Sequence, residues 1–343
     1  MINFSELRRA LGNINHPKIL VVGDIISDVY LDGMISRISR EAPVLILEQQ
    51  SQRIVLGGAA NAAHNLATLG GQVYLAGIIG RDMAGQELLS LLTATGIGNE
   101  LVYQSRTLPT CTKTRILAAA EHGVRQQMLR VDCTPQGILE VEGWSFFREQ
   151  LRRAIQTVDG IHISDYGMPL LAGAFREELL DMAAQADKLV LVDAHQIGGY
   201  QGATIFTPNL EEASRFVGYP IWNEDQLEQA GRQILNTLHS RAVLITRGPA
   251  GMSLFLQDGS IHHLPVHNKA EIIDVSGAGD TVASMMMLGL TSGLDYLTAA
   301  QLANIAAGIV VRKMGTATLV REELKTELSS FETKTATEYA ELP

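Results

Sequence analysis

The chain has 343 residues, 46% of them hydrophobic, and a formal net charge of −10. That length and apolar content suffice for one large core. The acidic balance argues against nucleic acid as the main partner, and no apolar run reaches the roughly 18 residues needed to span a bilayer. The two cysteines, Cys111 and Cys133, can build no disulfide framework, and their spacing fits no zinc motif. They are expected to be reduced thiols in a cytoplasmic protein. The first residues carry charges with no long apolar stretch behind them, so no signal peptide is expected.

The spacing of Phe4, Leu7, Ala10 and Leu11 predicts a short amphipathic helix. Residues 18–24 (KILVVGD) form a continuous apolar run ending in Gly-Asp, the pattern of a central parallel strand buried on both faces. Ligands of open α/β sheets bind beyond the carboxyl ends of the strands, which places Asp24 and Asp28 to meet one. Residues 29–35, 36–43 and 44–48 read as strands rather than a crossover helix, an inserted β-piece over about 29–49. Next comes a glycine-rich turn feeding a small-residue helix, residues 56–67. Gly57 and Gly58 would let a ligand approach, and Asn61 offers a donor and an acceptor to a hydroxyl. A closely packed alanine-rich helix without a ligand accounts for these residues equally well.

Residues 72–80 read as a second buried strand and 84–95 as a helix ended by Gly96. Residues 106–133 again break the α/β rhythm. They alternate polar and apolar on both sides of a turn at His122-Gly123, a hairpin signature. Lys113, Arg115, Arg125 and Arg130 concentrate positive charge there. Such residues usually form a solvated face; the sharper reading is that one or two reach a phosphate. Regular βα alternation follows, with strands at 160–166, 188–193, 203–207 and 242–246. The ends of these runs, Asp165, Asp193 and Thr246-Arg247-Gly248, gather on the same edge as Asp24. The pattern implies a mostly parallel sheet covered by helices on both faces. The nine histidines show no metal-ligand spacing; His262 and His263 are neighbours in a strand and point to opposite faces. No linker divides the chain, so one domain over 1–343 is expected, its β-insertions at about 29–49 and 106–133. The polar tail from Leu324 is expected to be disordered at its last residues.

The most informative stretch is Asp274-Val275-Ser276-Gly277-Ala278-Gly279-Asp280-Thr281, between a short extended run (271–273) and a helix whose apolar residues read as buried. Small residues let the backbone approach a ligand. Unpaired N–H groups of a first helical turn, aided by the helix dipole, make an anion hole. Asp280 sits in it. A carboxylate that takes a proton from a hydroxyl, beside N–H groups that stabilise a transferring phosphoryl group, is the equipment of a kinase. No Lys-Ser/Thr follows the glycines, so this is not a Walker A loop, and the βαβ context of a dinucleotide site is missing.

Across residues 17–322 the chain resembles the ribokinase-like, or PfkB-type, carbohydrate kinases. The resemblance rests on Gly57-Gly58-Ala59-Ala60-Asn61 and, more specifically, on residues 274–281. Gly23-Asp24 with Asp28, Asn209-Leu210-Glu211-Glu212 and Thr246-Arg247-Gly248 support it. Within the family it looks most like the heptose-7-phosphate kinases, including the kinase half of the bifunctional ADP-heptose synthesis enzyme. Residues 36–44, 112–115, 127–132 and 313–316 carry that likeness. On length, the nucleotidyltransferase half is expected to be missing. Two positions depart: Gly167-Met168-Pro169 and Asp193-Ala194-His195 stand where those kinases usually carry a lysine.

The resemblance implies an ATP-dependent phosphotransferase acting on a hydroxyl of a sugar or sugar phosphate, D-glycero-D-manno-heptose 7-phosphate being a candidate. Asp280 would be the base, and Gly277, Ala278 and Gly279 the anion hole. Asp24, Asp28, Gly57, Gly58 and Asn61 would hold sugar hydroxyls, with Lys113 and Arg130 toward a substrate phosphate. Asn209 and Glu212 would act near Mg²⁺. Thr246, Arg247 and Gly248 would line the ATP phosphates, with Asn304 and Gly308 near the adenine. The β-insertions would form a lid and, as in many relatives, a homodimer interface. A non-catalytic sugar- or nucleotide-binding protein on the same fold and a nucleoside kinase are the alternatives. ATP turnover dependent on Asp280 separates the first, and the basic Lys113 and Arg130 speak against a neutral nucleoside.

Overall fold

The computed structural model describes residues 3–119, 123–266 and 272–340. In chain order the elements begin with α1 (Phe4–Gly12), β1 (Lys18–Gly23), β2 (Ile25–Ile38), β3 (Leu45–Gly58), α2 (Ala59–Thr68), β4 (Gln72–Gly80), α3 (Met83–Ala94) and β5 (Gly98–Ser105). Then follow β6 (Cys111–Ala119), β7 (Gln126–Cys133), α4 (Val141–Thr157), β8 (Gly160–Asp165), α5 (Ala174–Gln185), β9 (Leu189–Ala194) and β10 (Ile205–Phe206). The remainder are α6 (Leu210–Val217), α7 (Glu224–Thr237), β11 (Ala242–Thr246), β12 (Met252–Leu256), β13 (Ile261–Leu264), α8 (Ala278–Thr291), α9 (Tyr296–Val310) and α10 (Arg321–Ala340).

Nine strands form one sheet in the order β13-β12-β11-β10-β9-β8-β1-β4-β5. Every pairing from β11 to β5 is parallel, and β12 alone runs against the rest, pairing antiparallel with both β11 and β13. The sheet is buried on both faces, which explains the unbroken apolar run of β1. Ile19 and Val21 enter one core with residues of α1, α2, α8 and α9, while Leu20 and Val22 enter a second core with residues of α4, α5 and α7. No helix among the described residues is long and apolar enough to cross a membrane.

A second sheet, β3-β2-β6-β7, is built from the two segments that break the α/β rhythm. β2 pairs antiparallel with β3 and parallel with β6, and β7 returns antiparallel along β6. Its strands are longer than the sequence suggests. β2 leaves directly after Asp24, and β3 runs to Gly58, so Gly57 and Gly58 end a strand instead of forming a turn. The strand expected over 36–43 stops at Ile38. Residues 39–44 are the hairpin connection, closed by the Ser39 N–H on the Val44 carbonyl at 2.8 Å, with Pro43 unable to donate to a ladder.

Ile272 and Ile273 form no strand: the N–H groups of Ile273 and Asp274 both donate to the Val311 carbonyl, which ties the loop to the end of α9. Glu271 and His122 lie outside the described residues. The expected strand at 203–207 shortens to the two residues of β10. Helix α10 carries the polar tail to Ala340, and the last three residues lie outside those described.

His162 sits fully buried in β8, alternating with Ile161 and Ile163, and neither ring nitrogen has a hydrogen-bond partner among the described residues. Burial pushes its pKa down to about 3 from an ordinary 6.5. The folded value is the lower one, so this residue's contribution to stability is intact above about pH 6.5. It is lost as pH falls toward about 3, by about 1.4 kcal/mol per pH unit. The substitution His162→Leu is therefore expected to raise Tm relative to wild type increasingly between about pH 7.5 and about pH 5. Thermal unfolding at both pH values checks this; a pH-independent difference would contradict the buried neutral imidazole.

Candidate active site

Two helix starts and the carboxyl ends of β1 and β8 meet at Asp280. This carboxylate lies in the first turn of α8 and is buried. Its Oδ2 accepts from Asn61 Nδ2 at 2.6 Å, and its Oδ1 accepts from the Tyr166 hydroxyl at 3.2 Å. Burial pushes its pKa up to about 6, with Asp28 adding to the rise, while the two hydrogen bonds and Lys113 oppose it.

The loop before α8 is fixed from both sides. Asp274 Oδ1 accepts the Ser276 N–H at 2.9 Å, and Oδ2 accepts the Gly315 N–H at 2.9 Å. Gly277 caps the helix in the left-handed region, at φ +79°, and a Cβ there would lie 2.9 Å from Asn61 Nδ2. Only glycine allows the helix start to come so close to the amide that holds Asp280. The Ala278 N–H is spent on the Val275 carbonyl at 3.2 Å. First-turn N–H groups have no acceptor within the helix, and open space lies where a Cβ on Gly279 would be.

That space belongs to a cavity of about 640 Å³, lined mainly by apolar groups. It brings together Thr246 and Gly248 after β11, Ala278 and Gly279 of α8, and Asn304 and Gly308 of α9. Asn304 is oriented by donating to the Pro265 carbonyl at 2.7 Å. Arg247 is not in the lining. Its guanidinium donates to Ser253 Oγ at 3.1 Å, and Ser253 in turn bonds His263 Nδ1 at 2.8 Å.

On the other side of Asp280, Asp24 closes β1. Its Oδ2 accepts the N–H groups of Tyr166 (2.7 Å) and Met168 (3.2 Å). Burial first, then the neighbouring Asp165, pushes its pKa up to about 7. Asp28, on β2, pairs with Arg115 and accepts from Thr316 Oγ1 at 3.1 Å. Gly57 lies against it: a Cβ there would come within 2.5 Å of Asp28 Oδ2. Gly58, at φ +56°, passes close to the Asp24 carbonyl. Lys113 is in register with Asp28 and holds its ammonium 5.0 Å from the centre of the Tyr166 ring. Asn61 is buried with its amide committed to the protein: Nδ2 to Asp280, and Oδ1 accepting from Asn65 at 3.3 Å. Arg130 is exposed and bidentate to Asp132 on its own strand, at 2.9 and 3.0 Å.

Asn209 and Glu212 form a capping box on α6, each side chain accepting the other's N–H at 2.9 Å. Among the described residues no group of three or more His, Cys, Asp or Glu side chains is arranged to hold a metal ion. Asp193 nevertheless stays protonated well above the ordinary carboxylate range, through burial first and then through Asp280 and Glu212.

Sequence reasoning assigned no site role to Tyr166 or Thr316, and Arg115, one of the four basic residues of the hairpin, is spent on Asp28. Tyr166 carried a readable signal, since it immediately follows a strand ending in Asp165 on the edge where ligands bind.

The nine-stranded sheet with a second small sheet beside a helix-start carboxylate defines the ribokinase-like class. Arabidopsis thaliana ribokinase complexed with ribose and ATP superposes with a TM-score of 0.72 at 19% identity, covering 92% of this chain and 99% of that one. Escherichia coli phosphofructokinase-2 in complex with substrates and products gives 0.70 at 17%, covering 91% and 99%. The family model for pfkB family carbohydrate kinases matches residues 16–323, and the chain belongs to that family. The bifunctional protein HldE of Desulfatibacillum aliphaticivorans is 40% identical over 314 residues, 91% of this chain and 63% of that protein. That of Helicobacter hepaticus is 37% identical over 310 residues, 90% of this chain and 63% of that protein. The chain thus spans less than two thirds of these relatives.

Asp24→Asn keeps an oxygen for both N–H donors and removes the charge. The folded pKa exceeds the unfolded one, so the stability tied to the neutral carboxyl is lost as pH rises through about 7. The variant should gain Tm over wild type at about pH 8 and gain less at about pH 5. Equal shifts at both would contradict a strained Asp24 charge.

Proposed function

We propose that the chain transfers the γ-phosphoryl group of ATP to a hydroxyl of a sugar phosphate, with D-glycero-D-manno-heptose 7-phosphate the leading candidate. The observation that carries the reading is the buried Asp280 carboxylate at the start of α8, the helix whose Ala278, Gly279 and Val282 line a cavity of nucleotide size. The substrate assignment rests on the likeness to the heptose kinases and on the HldE relatives.

Asp280 takes the proton of the acceptor hydroxyl as its oxygen attacks the γ-phosphorus. The bond from that phosphorus to the β–γ bridging oxygen breaks, and ADP leaves. Backbone N–H groups of Gly277 and Gly279 face the charge on the transferring group, with Ala278 contributing once its turn bond to Val275 opens. Thr246 and Gly248 border the nucleotide phosphates, and Asn304 and Gly308 the base. Arg247 supports this loop through Ser253 unless it swings out to the phosphates. Asn209 and Glu212 would hold Mg²⁺ through water, and bound Mg²⁺ would neutralise phosphate charge.

Asp24, Asp28, Gly57 and Gly58 shape the sugar side, and Asn61 acts there through Asp280. Lys113 forms no ion pair among the described residues, which suits a substrate phosphate; Arg130 would first have to leave Asp132. The four-stranded sheet serves as a lid that keeps water from ATP. Its other face exposes Leu129 and Val131, apolar groups that a second copy would cover in a homodimer.

Asp280→Asn is expected to lower kcat by roughly 10²–10⁴-fold while ATP affinity is retained. Wild-type kcat/KM should rise through about pH 6, where Asp280 loses its proton. Turnover and ATP titration of the purified variant check this. Near-normal turnover would remove Asp280 as the base.

A further inference from the structure

We infer that Tyr166 is a positioning residue for the phosphoryl transfer: its hydroxyl holds one oxygen of Asp280 while its ring seats Lys113 of the second sheet. The inference rests on Asp280 being the base.

Tyr166 follows β8 directly and is fixed at its backbone by the N–H donated to Asp24 at 2.7 Å. Its hydroxyl donates to Asp280 Oδ1 at 3.2 Å, and Asn61 holds Oδ2 from the opposite side at 2.6 Å. Each carboxylate oxygen thus keeps a lone pair for an incoming hydroxyl, and the carboxylate cannot rotate away. The face of the ring carries the Lys113 ammonium at 5.0 Å, a cation–π contact, and His195 packs edge-on at 4.8 Å. One side chain therefore joins the proposed base to the sheet that covers the sugar side.

The phenol cannot itself take the proton. Burial and the adjacent Asp280 keep its pKa well above 10, so it remains a neutral donor. The other titratable groups near Asp280 are Asp28 from β2, Lys113 from β6 and Asp193 from β9. None of them donates a hydrogen bond to the carboxylate among the described residues, so loss of the Tyr166 donor has no ready substitute.

The test is steady-state kinetics of the full chain with ATP and its sugar phosphate, for Tyr166→Phe, Tyr166→Leu and Asp280→Asn. Tyr166→Phe keeps the ring. It should lower kcat about tenfold with KM for ATP unchanged, and it should move the acid limb of kcat/KM upward, because a bond favouring the ionised carboxylate is gone. Tyr166→Leu should in addition raise KM for the sugar phosphate, since Lys113 loses its seat. A purely structural role would lower Tm without moving the acid limb. Titration of the Asp280 carboxyl by carbon NMR in wild type and Tyr166→Phe reads the same shift without turnover. An unmoved acid limb and unmoved carboxyl titration in Tyr166→Phe would overturn the inference while an inactive Asp280→Asn leaves the base in place. An active Asp280→Asn would overturn both.

Discussion

A carboxylate in a protein interior persists only where its partners are assembled for it. Asp280 has two, and they come from distant parts of the chain: Asn61 in the first turn of α2 and Tyr166 after β8. Bringing them within hydrogen-bond reach requires β1 to lie beside β8, α2 to pack against α8, and Gly277 to lack a Cβ. The parallel sheet is in this sense the frame for one ion. The same frame brings Asp24 and Asp193 to the edge where that ion sits, and both are forced toward the protonated form by the lack of water around them.

The second sheet depends on the same centre from the other side. β2 leaves the end of β1 without a turn, so Asp28 and Tyr30 follow directly from Asp24 along one strand. Thr316 bonds both, through Asp28 Oδ2 at 3.1 Å and the Tyr30 hydroxyl at 3.2 Å, and Gly315 is held by Asp274. The chain after α9 therefore links the second sheet to the loop that opens α8. Movement of that sheet would be felt at the proposed anion hole through a short series of named hydrogen bonds.

Much of this frame was legible in the residues. An apolar run without alternation marks a strand covered on both faces, and β1 is that strand. Small residues ahead of an apolar segment mark a helix start, and α8 begins there. The segments that break the α/β rhythm are the second sheet. What the residues did not show is where side chains spend their hydrogen bonds. Asn61 looked available to a sugar, yet its partner Asp280 lies 219 positions away. Arg247 looked like a phosphate ligand, yet β12 supplies Ser253 to hold it. Arg130 could have been read better, because Asp132 is two positions along the same strand and so on the same face. The strand limits at 36–43 and 203–207 failed for a local reason, since hairpin closure and short pairing segments are decided by the neighbouring strand and not by composition.

The proposed reaction of this geometry is phosphorylation of a sugar phosphate. Phosphorus NMR of the purified chain with ATP, Mg²⁺ and heptose 7-phosphate, alongside a panel of other sugars, tests it most directly. ADP together with a sugar carrying a second phosphate is the expected result. ATP bound but unconsumed across the panel, or consumed to ADP and inorganic phosphate alone, would contradict it.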